Sequence, residues 1–432
     1  MMSKKCKIIV CSIIIVVIGF ILYAIYGLML YFGVFAPRFV LKGDSHIVIE
    51  AKQEYIDEGV KAVYRGKDLS DEVTINNHID IHKVGTYEVE YSWDKYQKRI
   101  TRIVEVKDTK APNIELKGEA KVRVFENGSY EEKGYQASDD VDGNLTSVVE
   151  VKNNIDFTKK GVYEISYTVA DKSGNKQQVT REVEVCADPT NIRLQYAHDA
   201  YDNAMEEWWF VKSVDHQRTT AAMDESLLKT YDAYFQGNDE KVIYLTFDEG
   251  GSDITYIKEI AEVLNKHDVK ATFFLTRNYI RMEKEFMKEL VAAGHLIANH
   301  TWHHYDMTTL ANEQRIDDFV LEITETEKTY MEVVGEPMKK IFRFPKGGGS
   351  ERALKIMQDL GYRTYYWSHA YYDFGGDIAK EDTLKTLMDH YHNGAIYLLH
   401  PSNKGNYEAM DDFITQMKDL GYRFDIVDAI GN

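Results

Sequence analysis

Two adjacent carboxylates, Asp248 and Glu249, follow the apolar run VIYLTF and precede Gly250. At a strand end such a pair can divide two tasks, one carboxylate taking a proton and the other holding a cation. Taken alone, the segment is also an ordinary polar turn. Further on, Asn299-His300-Thr301-Trp302-His303-His304 places three imidazoles within five residues. On a helical turn the spacing of His300 and His304 puts both rings on one face, within reach of one metal. Arg343 opens the run Arg343-Phe344-Pro345-Lys346-Gly347-Gly348-Gly349. Its glycines either let the backbone approach a ligand closely or make a flexible loop. Asp373 lies in Trp367-Ser368-His369-Ala370-Tyr371-Tyr372-Asp373-Phe374, and His400 follows the apolar run AIYLL. A histidine at one strand end with an aspartate at the preceding one makes an acid/base group with an orienting partner.

The cysteines restrict which metal chemistry is open. Cys6 and Cys11 lie beside or within the N-terminal apolar run, and Cys186 stands alone. With no Cys-x-x-Cys pair, a structural zinc cluster is not expected, and a framework of several disulfides is excluded. A metal must therefore use His and carboxylate ligands. Cys186 reads as a small strand residue. The formal net charge of -18 repels polyanions, so nucleic acid is not an expected partner.

The elements that position these residues alternate. From residue 241 on, strand-like VIYLTF is followed by a helical pattern at 253–266, KATFFLT, and a helix at 283–293. IFRF, RTYYWS, AIYLLH and a closing YRFDIV are further strand candidates. Each but the last precedes a helical stretch, which predicts an α/β parallel sheet, open or closed into a barrel. In such barrels chemistry sits at the C-terminal strand ends, where five consecutive segments here supply Asp, Glu, His or Arg. Residues 188–238 are rich in Tyr, Trp and Ala and predict an irregular or helical connector, with Trp208, Trp209 and Phe210 packing on the domain that follows.

The N-terminal half has another texture. HKVGTYEVEYSWD at 82–94 parallels KKGVYEISYTVAD at 159–171, with Gly85 and Gly161 in equivalent places. Alternating apolar and polar residues between Gly, Asn and Asp turns predict two small all-β sandwiches, and the copies resemble bacterial immunoglobulin-like repeats. Asp139, Asp140, Asp142 and Asn144 admit a calcium loop, but an acidic turn capped by Gly143 is the preferred reading. From Ile8 to Pro37 no side chain is charged, and Lys4, Lys5 and Lys7 come before. The run exceeds the roughly 20 residues that span a bilayer, and the lysines place its start in the cytoplasm. It lacks an Ala-x-Ala site, which favours a single-pass anchor over a cleaved signal. Everything after residue 38 is then expected outside the cell membrane, in the cell-wall space. The expected organisation is 1–37 cytoplasmic stub and transmembrane helix, 38–108 and 109–187 sandwiches, 188–238 connector, and 239–432 barrel.

The region from about 208 to 430 resembles the polysaccharide deacetylase, or NodB-homology, family of carbohydrate esterases. The five strand-end segments are the family's five motifs in order. LLKTYDAYFQGN, IYLTFDEG, HTWHHYDM, WSHAYYDF and AIYLLHPS resemble in particular the muramic acid deacetylases of spore-forming bacteria. The resemblance implies a distorted (β/α) barrel that removes acetyl groups with one divalent metal, zinc first, with cobalt or manganese as alternatives. His300 and His304 would ligate it, with Glu249 at the third ligand position. Asp248 would be the base for the attacking water, and Arg343 would orient it and favour its charged form. The backbone N–H of Lys346 would hold the oxyanion. His400 would protonate the leaving nitrogen, with Asp373 holding its imidazolium. Leu398, Phe374 and Trp367 would line the substrate pocket.

This sequence departs from the pattern at three places. Glu249 stands where an Asp is usual, Lys346 replaces a common Tyr, and Phe374 replaces a Trp. The expected substrate is peptidoglycan, with N-acetylmuramic acid favoured and N-acetylglucosamine the variant. The reading of another class is a catalytically inactive wall-binding surface protein.

Overall fold

The computed structural model describes residues 4–31, 36–221, 223–249 and 255–431. Gly250 and the start of the helical pattern at 253–254 lie outside them, as do the side chains of Cys6 and Cys11. The N-terminal helix runs Lys4–Tyr31. Its Ile14–Tyr31 stretch is apolar, fully exposed, and long enough to cross a membrane.

The chain divides into two compact units. One comprises Met1–Lys121, Tyr130–Asp156 and Val162–Val183, and the other comprises Val122–Ser129, Phe157–Gly161 and Glu184–Asn432.

In the first unit, Gly85–Trp93 pairs antiparallel with Lys98–Lys107, from Gly85 opposite Val106 to Trp93 opposite Lys98. Period-two alternation buries Val89, Tyr91 and Trp93 and turns Glu88 and Glu90 outward. The later strand Gly161–Ala170 repeats this, burying Ile165, Tyr167 and Val169. A shared feature that the sequence pattern does not display is a buried arginine. Arg102 reaches Asp57 and Tyr55, and Tyr91 also donates to Asp57. Arg181 reaches Glu132 and Tyr130, and Tyr167 donates to Glu132. The guanidiniums also donate to the Lys42 and Lys117 carbonyls. The acidic turn has the preferred form: Asp139 Oδ1 accepts from the Val141 and Asp142 amides at 2.7 and 2.9 Å, and Gly143 takes a positive φ.

The second unit is built on eight parallel strands: β1 (Ala233–Tyr234), β2 (Val242–Glu249), β3 (Thr272–Leu275), β4 (Leu296–Asn299), β5 (Ile341–Phe342), β6 (Arg363–Tyr365), β7 (Ala395–Leu399) and β8 (Arg423–Phe424). Their order is β1-β6-β5-β4-β3-β2-β7, with β8 also on β2. Single bridges, Gln236 to Ala395 and His369 to Tyr397, link the far side of this curl to β7. The result is the distorted barrel-like sheet expected. Every residue of β2 is buried. Val242 and Tyr244 join one apolar core, and Ile243, Leu245 and Phe247 join the other. Amphipathic helices cover the second core. Ile257–Lys266 buries Ile257, Ile260, Ala261 and Leu264, the i, i+3, i+4, i+7 stripe of a surface helix.

The segment expected as a connector is woven into this unit. It supplies edge strand β1 and the pair Glu206–Glu207, antiparallel to Gly348–Gly349. Trp208 and Phe210 are buried as expected, and Trp208 Nε1 donates to the Trp367 carbonyl at 3.0 Å. Trp209 does not pack inward; it is 60% exposed, because alternation along this extended segment turns it away from its two neighbours.

Candidate active site

Strand β2 carries Asp248 on the same face as Thr246, two residues earlier. Arg343, directly after β5, meets both: its Nη1 donates to Asp248 Oδ1 at 2.6 Å and to Thr246 Oγ1 at 2.7 Å. Its Nε and Nη2 donate to the Tyr365 and Tyr366 carbonyls, and Phe274 lies 4.1 Å beneath the guanidinium. The arginine is fully buried. Burial pulls its pKa down, and the Asp248 charge opposes that.

His300 follows β4. Its Nδ1 donates to the Arg343 carbonyl at 2.9 Å, so Nε2 carries the free lone pair, 3.8 Å from Asp248 Oδ2. The His304 ring lies 5.0 Å from the His300 ring, centroid to centroid. They do not meet through a helical turn. Thr301 and His304 both take left-handed backbone conformations, φ 70° and 59°, which folds residues 300–304 back on themselves. A β-branched residue at positive φ is strained, and buried polar groups hold the turn in place. Asn299 Oδ1 accepts from the Thr301 amide, and Thr301 Oγ1 from the His304 amide. Glu322 accepts from the Trp302 and His303 amides at 3.0 and 2.8 Å and pairs with His303 Nδ1. The third histidine of the motif is therefore an anchor for the turn.

Burial pulls the His300 pKa to about 3, and burial together with the neighbouring His300 does the same for His304. Two neutral imidazoles, one with its Nδ1–H fixed on a carbonyl, suit a divalent cation. Glu249 is also buried, with Thr276 Oγ1 donating to its Oε2 at 2.9 Å. Glu249, Thr276, Tyr279, Met282, Trp302 and His304 border a small pocket.

His400 ends β7. Its Nδ1 meets Asp373 Oδ1 at 2.6 Å, and its amide donates to Asp373 Oδ2 at 2.7 Å. Asn406 Nδ2 donates to the same Oδ2 at 2.7 Å, leaving Asp373 buried and fully engaged. Burial disfavours the charged imidazole, but the Asp373 hydrogen bond and charge, with Asp248, outweigh it and raise the His400 pKa. Phe374 stands edge-on to His400 at 5.3 Å, 60% exposed, on the rim. Leu398 and Trp367 are buried, and Arg343 lies 5.6 Å over the Trp367 ring. Lys346 sits in the tight turn Pro345–Gly347 with φ 60° and an exposed side chain. A Cβ on Gly347 would come 2.6 Å from the Trp367 ring, so glycine is required there on steric grounds.

The structure thus brings Asp248, Arg343, His300 and His304 into one cluster and couples His400 to Asp373. Sequence reasoning missed Thr246, Asn299, Glu322 and Asn406. Thr246 was findable, since i, i+2 places it beside Asp248. Glu322 lies on a helix about 20 residues beyond the motif that it holds, and Asn406 in the first turn of the helix just after His400; neither carried a chemical signal of its own.

Known proteins are similar to this chain in sequence and fold. Residues 236–365 match the family described as polysaccharide deacetylase, and residues 39–106 and 114–185 match the bacterial surface protein Ig-like domain. The chain is 38% identical over 236 residues to the peptidoglycan-N-acetylmuramic acid deacetylase PdaA of Bacillus subtilis, covering 53% of this chain and 87% of that one. It is 28% identical over 191 residues to a peptidoglycan-N-acetylglucosamine deacetylase of Bacillus cereus, covering 43% and 86%. The solved structure of Bacillus subtilis PdaA, a family 4 carbohydrate esterase, superposes with TM-score 0.50 at 36% identity, covering 53% of this chain and 97% of that one. The chain belongs to the polysaccharide deacetylase family and is an enzyme of that class, with immunoglobulin-like domains N-terminal to its catalytic unit.

Proposed function

We propose that this enzyme hydrolyses the N-acetyl group of N-acetylmuramic acid in peptidoglycan. The observation that carries the reading is a pair of opposed proton-handling groups: Asp248 held by Arg343, and His400 held by Asp373. Asp248 takes the proton of the attacking water as its oxygen bonds to the acetamido carbonyl carbon. The Lys346 N–H holds the developing oxyanion. His400, protonated through Asp373, delivers its proton to the sugar nitrogen as the C–N bond breaks. Acetate and a free amine leave.

His300 and His304 hold a divalent metal, with Glu249 at the motif's third ligand position. Zinc is the first choice for imidazole and carboxylate donors, with cobalt and manganese next. When bound, the ion supplies Lewis-acid polarisation of the amide and lowers the pKa of the attacking water. Leu398 and Trp367 form the apolar wall for the acetyl methyl, with Phe374 at the rim. The Lys346 ammonium, exposed beside the site, suits the lactyl or peptide carboxylate that distinguishes muramic acid.

The N-terminal helix anchors the chain in the cell membrane with its N-terminus inside. The two immunoglobulin-like repeats, 38–108 and 109–187, space residues 188–432 from the bilayer, in the wall.

The test is mass spectrometry of muropeptides and acetate release after treating peptidoglycan with the zinc-loaded full chain. Deacetylated muramic residues are expected. Loss of acetyl from glucosamine alone would transfer the assignment to that sugar, and no acetate from any wall preparation would sink the enzymatic reading.

A further inference from the structure

Among the described residues outside the active site, one group of acidic side chains converges. Donor oxygens of Asp108, Asp142 and Asp171 lie within 4.8 Å of one another. Asp108 follows Lys98–Lys107, the last strand of the first repeat. Asp142 lies in the acidic turn of the second repeat, and Asp171 follows its strand Gly161–Ala170. All three carboxylates are largely buried.

Their partners are unequal. Asp171 accepts from the Asn175 amide on Oδ1 and from Asn175 Nδ2 on Oδ2. Asp142 accepts from the Lys172 amide on Oδ2 and pairs with Lys172 Nζ on Oδ1, through a lysine side chain that is itself 83% exposed. Asp108 Oδ1 accepts one long bond from the Lys110 amide, 3.3 Å. Asp108 Oδ2 is buried and accepts none, although the residue is 93% buried. Asp139, Asp171 and Glu50 add further negative charge around it. A buried carboxylate oxygen with no donor is costly, and like charges nearby raise the cost. One solvent-exposed ammonium does not balance three converging carboxylates.

We propose that Asp108, Asp142 and Asp171 form a calcium site that ties the end of the first repeat to two turns of the second. The donors are all oxygens, which selects a hard cation. Irregular carboxylate geometry suits Ca²⁺, whereas Mg²⁺ demands a near-ideal octahedron and keeps its waters. The ion reinforces links already made across residues 108–111: Asn175 Nδ2 donates to the Asp108 carbonyl at 3.1 Å, and the Thr109 amide and hydroxyl donate to Glu50. This set differs from a linear loop of Asp139, Asp140, Asp142 and Asn144, sharing only Asp142.

Equilibrium dialysis of the full chain in detergent micelles against ⁴⁵Ca²⁺ tests the site. One ion per chain is expected, with a Kd of about 10⁻⁴–10⁻³ M, the range of extracellular modules. His300→Ala should bind the same amount, which separates this site from the active site. Asp108→Asn should bind at least about tenfold more weakly. Lys172→Ala, a change at an exposed side chain that leaves the fold intact, should bind more tightly by removing the competing ammonium. Calcium should also slow trypsin cleavage after Lys110, by about tenfold at ten times Kd. No calcium bound by the wild type at about 10 mM, well above that range, overturns the site. So does unchanged affinity in both Asp108→Asn and Lys172→Ala.

Discussion

Arg343 Nη1 bridges Asp248 Oδ1 and Thr246 Oγ1 at 2.6 and 2.7 Å, entirely out of contact with solvent. The position of the base is therefore set from beneath the site, by a residue two strands away from β3, the neighbour of β2.

Replacing Arg343 by Met leaves the Asp248 charge buried without its partner. Such a break costs about 3–5 kcal/mol, and the denaturant midpoint should fall accordingly. Arg343→Lys retains a charge but not the fork that meets two carbonyls and two oxygens. It should recover part of the stability and little of the activity. Unfolding curves and acetate release on both variants check this; full activity in Arg343→Lys would show that the geometry of the fork is irrelevant.

His400 titrates high because Asp373 outweighs burial. As a general acid it works while protonated, so activity should fall as pH rises through that raised value. The same shift contributes stability that is full below about 6.5 and is lost as pH rises through the folded value. In Asp373→Asn only the burial effect remains strong, and the alkaline limb of kcat/KM should move to lower pH. A limb that does not move would rule out Asp373 as the group that sustains the imidazolium.

Lys346→Ala keeps the backbone N–H and removes the ammonium. Hydrolysis of muramic substrates bearing a free carboxylate should slow, by about fivefold for one exposed charge contact of about 1 kcal/mol. Hydrolysis of N-acetylglucosamine oligomers should be unchanged. Equal losses on both substrates would mean that the side chain does not read the carboxylate.

Burial holds His295 and His392 at pKa values of about 4, and His369 at about 3. Their unfolded values lie near 6.5, so between those limits the unfolded chain binds more protons. Stability should therefore decline as pH falls from 6.5 toward 4, by about 1.4 kcal/mol per pH unit for each such group. Urea midpoints at pH 7 and pH 5 measure the effect; an equal midpoint at both would contradict it.

Much of this was legible beforehand for physical reasons. Period-two alternation in VYEISYTV and the βα rhythm after residue 241 are local, so they announced the sandwiches and the parallel sheet. The site residues were legible because each strand end carries its own chemistry. What lay hidden depends on distance or on backbone conformation. Spacing of His300 and His304 suggested a helix, while the chain uses left-handed residues at Thr301 and His304. Glu322, on the helix Ile316–Val334, stabilises that turn from elsewhere in the sequence. The segment at 188–238 lacks periodicity because its two strands are only two residues each. It nevertheless completes the sheet edge.

The duplicated buried arginine has a consequence for tracing descent. Arg102 with Tyr55, Asp57 and Tyr91 corresponds position for position to Arg181 with Tyr130, Glu132 and Tyr167. No member can change alone without stranding a charge or a phenol inside its module. Surface residues drift freely while this quartet drifts only as a set. A pattern of Tyr-x-acid, then Tyr, then Arg is thus a fingerprint by which diverged copies of the module could be found in unrelated chains.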